Sequence, residues 1–332
     1  MSSRVSDEAR AITIVAPEGM RTRAEVLVRR HLPALSRRQV HELFEAGRVR
    51  INRHLARKGS SAGAGDTLTV ELPEAERRDR ALPDTSLAID VLFEDAELVA
   101  LNKPAGVPTL PLRIGERGTL ANVLAARYPD APIVGSASES GLVHRLDTGT
   151  SGVILAARTP EAYRHLRHQF RKRQVGKTYL ALVHGDVDAA ETIDVPIAHV
   201  ARNARRMEAH FTREGAVRSR ARTAVTMFRP VKRFGDFTLV AVRIRTGVRH
   251  QIRVHLAAMR HSIVGDDLYA SPAAVSRSRD LRLGGRPLLH ARRIRFTHPT
   301  DRRPVRIAAP MPTDLREVLA RLEASYSVGS GG

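Results

Sequence analysis

Gly141-Leu-Val-His-Arg-Leu-Asp-Thr-Gly-Thr-Ser-Gly152 runs directly into Val153-Ile-Leu-Ala-Ala157. The five-residue apolar run predicts a buried strand. The segment before it is rich in Gly, Thr and Ser, small enough to let another molecule's backbone approach closely. Its one carboxylate, Asp147, therefore sits in a polar loop feeding a core element, the usual arrangement for a site held on a rigid scaffold. By itself an aspartate in such a turn is ordinarily just solvated. The rest of the chain decides the matter.

With 332 residues and 42% hydrophobic composition, the chain is long enough for two globular domains and a large core. Its 55 Lys and Arg against 35 Asp and Glu give a net charge of +20. A surplus of that sign and size points to a polyanionic partner, RNA or DNA first. An anionic membrane surface is the alternative, but no apolar run reaches about 18 residues and no leader pattern opens the chain. Membrane insertion is thus not expected, and a cytoplasmic protein is. The absence of Cys excludes disulfides, a thiol nucleophile and a zinc ribbon. Aromatics are only 4%, with no Trp, which argues against a wide base-stacking platform.

Working outward to the N-terminus, residues 1–10 are polar, and Ala11 to Val15 could form a short strand. Ala24, Leu27, Val28 and Leu32 space as one helical face, stopped by Pro33. Ser36 is placed to cap a second helix, which Gly47 ends. Val49 and Ile51 then alternate with Arg48, Arg50 and Arg53 as in a half-buried strand. Leu68 to Leu72 supplies another after a Gly65-Asp66 turn. This order, with Leu35-Ser36-Arg37-Arg38, Ala46-Gly47-Arg48-Val49-Arg50-Ile51-Asn52 and Ala64-Gly65-Asp66, resembles the S4 RNA-binding domain over about residues 20–73. The physical reading agrees: Arg37, Arg38 and Arg48 can make phosphate contacts that orient RNA without reading its sequence.

Past a Pro- and charge-rich stretch, Ile89 to Asp95 and Leu98 to Lys103 predict two strands joined by an acidic turn. Leu120 to Tyr128 predicts a short amphipathic helix. At Asp147 a second resemblance becomes explicit. His144-Arg145-Leu146-Asp147 with Thr150-Ser151-Gly152 is similar to the signature of the RluA-type RNA pseudouridine synthases, which isomerise selected uridines to the C-glycoside. Further segments fall in that family's order: Asn102-Lys103-Pro104-Ala105-Gly106, Lys177-Thr178-Tyr179, Thr246-Gly247 with His250-Gln251-Ile252-Arg253, and Ile263-Val264-Gly265-Asp266. Leu289-His290-Ala291 and Phe296-Thr297-His298-Pro299 follow. Together they cover nearly all of residues 87–312.

The resemblance implies a role for each matched residue. Asp147 would be the nucleophile, since breaking a glycosidic bond and remaking it through carbon calls for a group that can hold an intermediate. Arg253 would pair with it and favour its ionised form. Tyr179 would stack under the flipped uracil and help remove the C5 proton. His144, Arg145, Thr150, His250 and Gln251 are expected to bind substrate RNA or order the loop. Taken singly, Tyr179 reads as a core tyrosine and Arg253 as a surface or phosphate-binding residue; only the joint pattern reverses this. Two departures stand out: Val248 where the family usually carries Arg, and Ser262 where Pro is commoner. His165 and His168 share a helical spacing, but no carboxylate or Cys completes a metal set.

The expectation is therefore a mixed α/β, or α+β, protein with a largely antiparallel central sheet and flanking helices. Its divisions are an N-terminal extension (1–19), an S4-like domain (20–73), a linker (74–86), a catalytic domain (87–313), and a C-terminal helix with a flexible tail (314–332). It acts on structured RNA, with large-subunit ribosomal RNA favoured and transfer RNA possible, as a monomer and without metal or organic cofactor. The basic stretch from Arg202 to Arg222 is expected to clamp the RNA backbone. Rival readings are a non-catalytic RNA-binding or ribosome-assembly factor, and a basic metal-dependent nuclease, which lacks the acidic cluster it would need.

Overall fold

The computed structural model describes residues 11–17, 21–32, 37–57, 59–71, 81–113, 115–129, 138–201, 203–218, 220–280 and 285–329. The chain divides into two compact units, Met1–Arg80 and Ala81–Gly332. The division falls inside the stretch expected as a linker. The described part of that stretch belongs to the second unit: Ala81 is buried there, and the Leu82 carbonyl accepts a hydrogen bond from Asn122.

In the first unit the elements are β1 (Ala11–Val15), β2 (Thr22–Arg23), α1 (Ala24–His31), α2 (Arg37–Glu45), β3 (Val49–Ile51), β4 (His54–Leu55), β5 (Ser61–Ala62) and β6 (Thr67–Glu71). Four strands form an antiparallel sheet in the order β1-β6-β3-β4. Its core joins Ala24, Leu27 and Val28 of α1 and Val40, Leu43 and Phe44 of α2 to Val49, Leu68 and Val70. The alternation read in the sequence is what puts those strand residues on one face. Gly47, at φ +67°, turns the chain out of α2, a conformation glycine takes without steric cost. The expected Pro33 stop and Ser36 cap lie outside the described residues, as do the side chains of Arg37 and Arg38.

The second unit contains β7 (Asp90–Glu94), β8 (Leu98–Lys103), α3 (Leu120–Arg127), β9 (Ser151–Ala157), α4 (Pro160–Arg171), β10 (Gly176–His184), β11 (Glu191–Asp194), β12 (Ile197–Val200), β13 (Asn203–Ala209) and α5 (Arg213–Arg218). It continues with β14 (Val225–Phe234), β15 (Phe237–Ile244), α6 (Gln251–Ala258), α7 (Pro272–Asp280), β16 (Leu289–Thr297), β17 (Pro304–Ala308) and α8 (Thr313–Gly329). Its central sheet runs β11-β14-β15-β10-β16-β9-β8-β7, with β17 added on β16. Every pairing is antiparallel except β9 with β16, which is parallel through Ser151–His290 and Gly152–Ala291. The mixed, largely antiparallel sheet with flanking helices is as expected.

All seven residues of β9 are buried, which explains the unbroken apolar run Val153–Ala157: a central strand covered on both faces has no solvent side. The last helix packs into a second apolar cluster of this unit. Leu315, Val318, Leu319 and Leu322, at i, i+3, i+4 and i+7, pack with Leu182, Phe234, Leu239 and Val264. Burying such side chains is worth roughly 1.5–3 kcal/mol each. That helix extends to Gly329, into residues expected as tail. Among the described residues no helix is long and apolar enough to cross a membrane.

Candidate active site

The strand order brings four segments to one cleft of about 1340 Å³, lined by the loop before β9, the face of α4, the start of β10 and the β15–α6 connection. Asp147 lies between two well-fastened neighbours. On one side, the buried Thr109 hydroxyl donates to the Leu146 carbonyl at 2.7 Å. On the other, the Thr150 N–H donates to the Asp147 carbonyl at 3.0 Å, closing the turn.

Two cations hold the carbonyls that follow. Lys103, fully buried at the end of β8, donates from Nζ to the carbonyls of Pro104 (2.9 Å), Val107 (2.7 Å) and Thr148 (3.2 Å). Desolvation pushes its pKa down to about 7; nearby Asp147 opposes the shift and Arg286 adds to it. Arg286 donates from Nη1 to the Gly149 carbonyl at 3.1 Å and is itself held in a fork by Asp314 at the start of α8. The loop is therefore rigid before any substrate arrives.

The Asp147 side chain meets Arg253 of α6, with Oδ2 3.6 Å from Nη1. Arg253 is fixed from behind by Asp266, which accepts from Nε and Nη2 at 2.7 Å each. This bidentate pair aims the guanidinium, leaving Nη1 for Asp147. Asp147 is the only carboxylate among the described residues lining the cleft, which also presents Arg145, Arg167, Arg171, Lys177, Arg222 and Arg249. Tyr179, on β10, lines the same cleft and is 7% exposed. Burial, and then the Asp147 charge, push its phenol pKa well up. Its hydroxyl has no hydrogen-bond partner among the described residues.

The sequence-nominated trio, Asp147, Tyr179 and Arg253, is thus assembled in one place. The expected binding residues divide. Arg145 is exposed on the cleft wall and His250 lines it. His144 spends one ring nitrogen inside the protein. Its Nε2 accepts the Leu155 N–H at 3.0 Å, its ring stacks on Phe170, and burial pushes its pKa down to about 3. It orders the loop as a neutral group. Gln251 is also internal: its amide uses all four hydrogen-bonding positions, on Thr246, the Val248 N–H, the Val225 carbonyl and Thr226. Thr150 is buried and closes the turn. Arg48 is half-buried in the first unit.

Sequence reasoning missed Lys103, Asp266 and Arg286 as groups in the site. For Lys103 a signal existed, a lysine closing an apolar strand and followed by Pro. Asp266 ended a matched segment, but nothing there named Arg253, 13 positions away, as its partner, and Arg286 carried no signal, since Gly149 lies 137 positions away. Val248 is buried with Ile197, Met207, Ala224 and Val254, so the position that departs from the pattern anchors the cleft lining to an apolar cluster. The basic stretch is the hairpin β12–β13 followed by α5; its Arg202 lies outside the described residues.

A family model described as RNA pseudouridylate synthase matches residues 97–258, which span the Asp147 loop, Tyr179 and Arg253. The chain is 33% identical to a protein of Xanthomonas campestris named ribosomal large subunit pseudouridine synthase D, over 97% of this chain and 95% of that one. A protein of the same name from Xylella fastidiosa is 35% identical, with the same coverage of both. Among solved structures, human RNA pseudouridylate synthase domain containing 1 is 25% identical with a TM-score of 0.54, covering 73% of this chain and 97% of that one. The domain containing 4 protein gives 24% and the same score over 70% of this chain and 92% of that one, a likeness of fold.

Proposed function

The chain belongs to the RNA pseudouridine synthase family and is an isomerase acting on RNA, and from that premise we propose that Asp147 is its nucleophile, Arg253 the cation that keeps it ionised, and Tyr179 the platform for an extruded uracil. The observation that carries this reading is the cleft's charge pattern. A lone carboxylate, 3.6 Å from a guanidinium aimed by a second carboxylate, stands in a wall of cations suited to phosphates. A base inside a helix cannot reach such a loop, so the target uridine leaves its stack first. The small residues after Asp147 make room for it.

The reaction breaks the bond from the sugar to the ring nitrogen and forms one to the ring carbon, so the detached uracil must be held while it turns. Asp147 keeps one fragment attached and Tyr179 supports the other. The raised Tyr179 pKa favours stacking and hydrogen bonding over direct proton abstraction by the phenol, because at neutral pH the hydroxyl keeps its proton. Arg145, exposed beside Asp147, is placed to contact the RNA that the uridine leaves.

For the substrate we favour large-subunit ribosomal RNA, supported by the printed names of the relatives and by the S4-like pattern of residues 20–73. The same resemblances support the RluA-type subgroup. The test maps pseudouridine across ribosomal and transfer RNA in cells with and without the protein, and with Asp147→Asn. The expected result is loss of specific large-subunit sites in both the null and the variant. Unchanged modification with Asp147→Asn would sink the nucleophile assignment, and lost sites confined to transfer RNA would sink the ribosomal one.

A further inference from the structure

His250 is the residue preceding α6, and its backbone is left-handed at φ +56°, a conformation uncommon outside glycine. Its ring lines the cleft that holds Asp147 and packs edge-on to Tyr269, with Nδ1 2.7 Å from the Tyr269 hydroxyl oxygen. That hydroxyl also accepts the Met207 N–H of β13 at 2.9 Å. A phenol has one proton to give, and a backbone N–H can only donate. Among the described residues His250 Nδ1 is the only acceptor in reach of the phenol proton. The proton therefore goes to Nδ1, and the imidazole carries its own on Nε2. No described protein group partners that Nε2–H, and it is not among the sealed polar atoms.

We propose that His250 contacts the target nucleotide as a neutral hydrogen-bond donor, with its proton fixed on Nε2 by the Tyr269 hydroxyl. The acceptor is an oxygen of that nucleotide, either a uracil carbonyl or a sugar–phosphate oxygen. Tyr269 is a positioning residue in this arrangement. It follows closely on Asp266, its ring lies under Arg253 at 5.0 Å and under Arg206 of β13 at 5.7 Å, and its hydroxyl ties β13 to His250. Neutrality of the ring fits its surroundings. Burial, with Arg253 and Arg249 alongside, holds its pKa down at about 4, against the opposing pull of Asp147 and Asp266. The inference rests on the reading that uridine enters at Asp147.

The test uses the full chain and single-turnover kinetics on large-subunit ribosomal RNA taken from cells lacking the protein. His250→Ala is expected to lower the rate about tenfold, the cost of one net hydrogen bond. His250→Gln, which keeps an N–H donor, should recover most of that loss. In ¹⁵N-labelled protein at pH 7 the His250 Nδ1 should show an unprotonated signal that becomes mixed in Tyr269→Phe. Transcripts made with 4-thiouridine separate the acceptors. A shrunken His250→Ala effect places the contact on the base O4, and an unchanged effect places it elsewhere on the nucleotide; both support the proposal. Wild-type rates in His250→Ala, or a protonated Nδ1, overturn it. Asp147→Asn run in parallel keeps the two readings apart: if it is active, the nucleophile reading has failed, whereas inactive Asp147→Asn beside fully active His250→Ala defeats this inference alone.

Discussion

At the residue scale, the site is a chain of charges in which each member is held by the next. Asp147 meets Arg253, and Arg253 is clamped by Asp266, whose side chain is 1% exposed. Removing one partner of so buried a pair leaves an uncompensated charge, which costs about 3 kcal/mol. Asp266→Asn should therefore lower stability by about that amount in urea melts and slow the reaction more than it weakens RNA binding, since a turned guanidinium no longer faces Asp147. If kcat were untouched while stability fell, Asp266 would be structural only. Asp147, Tyr179 and Arg253 were legible because a motif names residue types at given positions. Asp266 stood in a matched segment too, but its role was not legible there, because that role exists only through a contact made by folding. Gln251 shows the converse: it stands in a motif, but its amide is spent on groups inside the protein.

At the scale of elements, the junction of β9 and β16 shows why the loop must be followed by glycine. Gly152 has φ +114°, and a Cβ there would lie 2.3 Å from the Ala291 carbonyl oxygen. Gly152→Ala should destabilise by about 3 kcal/mol or more, from backbone strain plus overlap with a main chain that cannot yield. Thermal melting checks this; a variant as stable as wild type would mean the parallel junction can open at little cost. The hairpin β12–β13 makes a different prediction. Arg205 and Arg206 are exposed on it, so Arg205→Ala with Arg206→Ala should weaken RNA binding and flatten the slope of log affinity against log salt by about one to two. An unchanged slope would remove the hairpin from the RNA path. The helices and strands themselves were readable from periodicity. Their pairing was not, because β9 finds β16 across more than 130 positions, and nothing local encodes that partner.

At the scale of the whole molecule, the +20 charge and the neutral buried histidines make acid the vulnerable side. His144 titrates near 3, and His250 and His290 near 4, all pushed down first by burial. Between about pH 6.5, where the unfolded residues take up protons, and about pH 4 the unfolded chain binds more protons than the folded one. Stability is therefore present above that window and lost as pH falls through it. Asp84, Asp95 and Asp314, whose pKa values are lowered, add losses of the same sign at still lower pH. The melting temperature should drop by about 5–10 °C between pH 7 and pH 4.5. A flat profile over that range would mean these histidines are not held neutral.

What this sequence determined by itself is the chemistry: an RNA-seeking charge, a loop with one carboxylate, a tyrosine on an apolar strand and an arginine on an amphipathic helix, each marked by residue type and local spacing. What only the tertiary structure decided is which of those groups meet and which atoms remain available. Lys103, Asp266, Arg286 and Tyr269 became part of the site because long-range strand order set them around Asp147. The reason is physical. Periodicity reports which face of an element is buried, whereas a hydrogen bond or ion pair depends on where two elements distant in the chain come to rest. The loop carboxylate at Asp147 could be read in one dimension; its held geometry needed three.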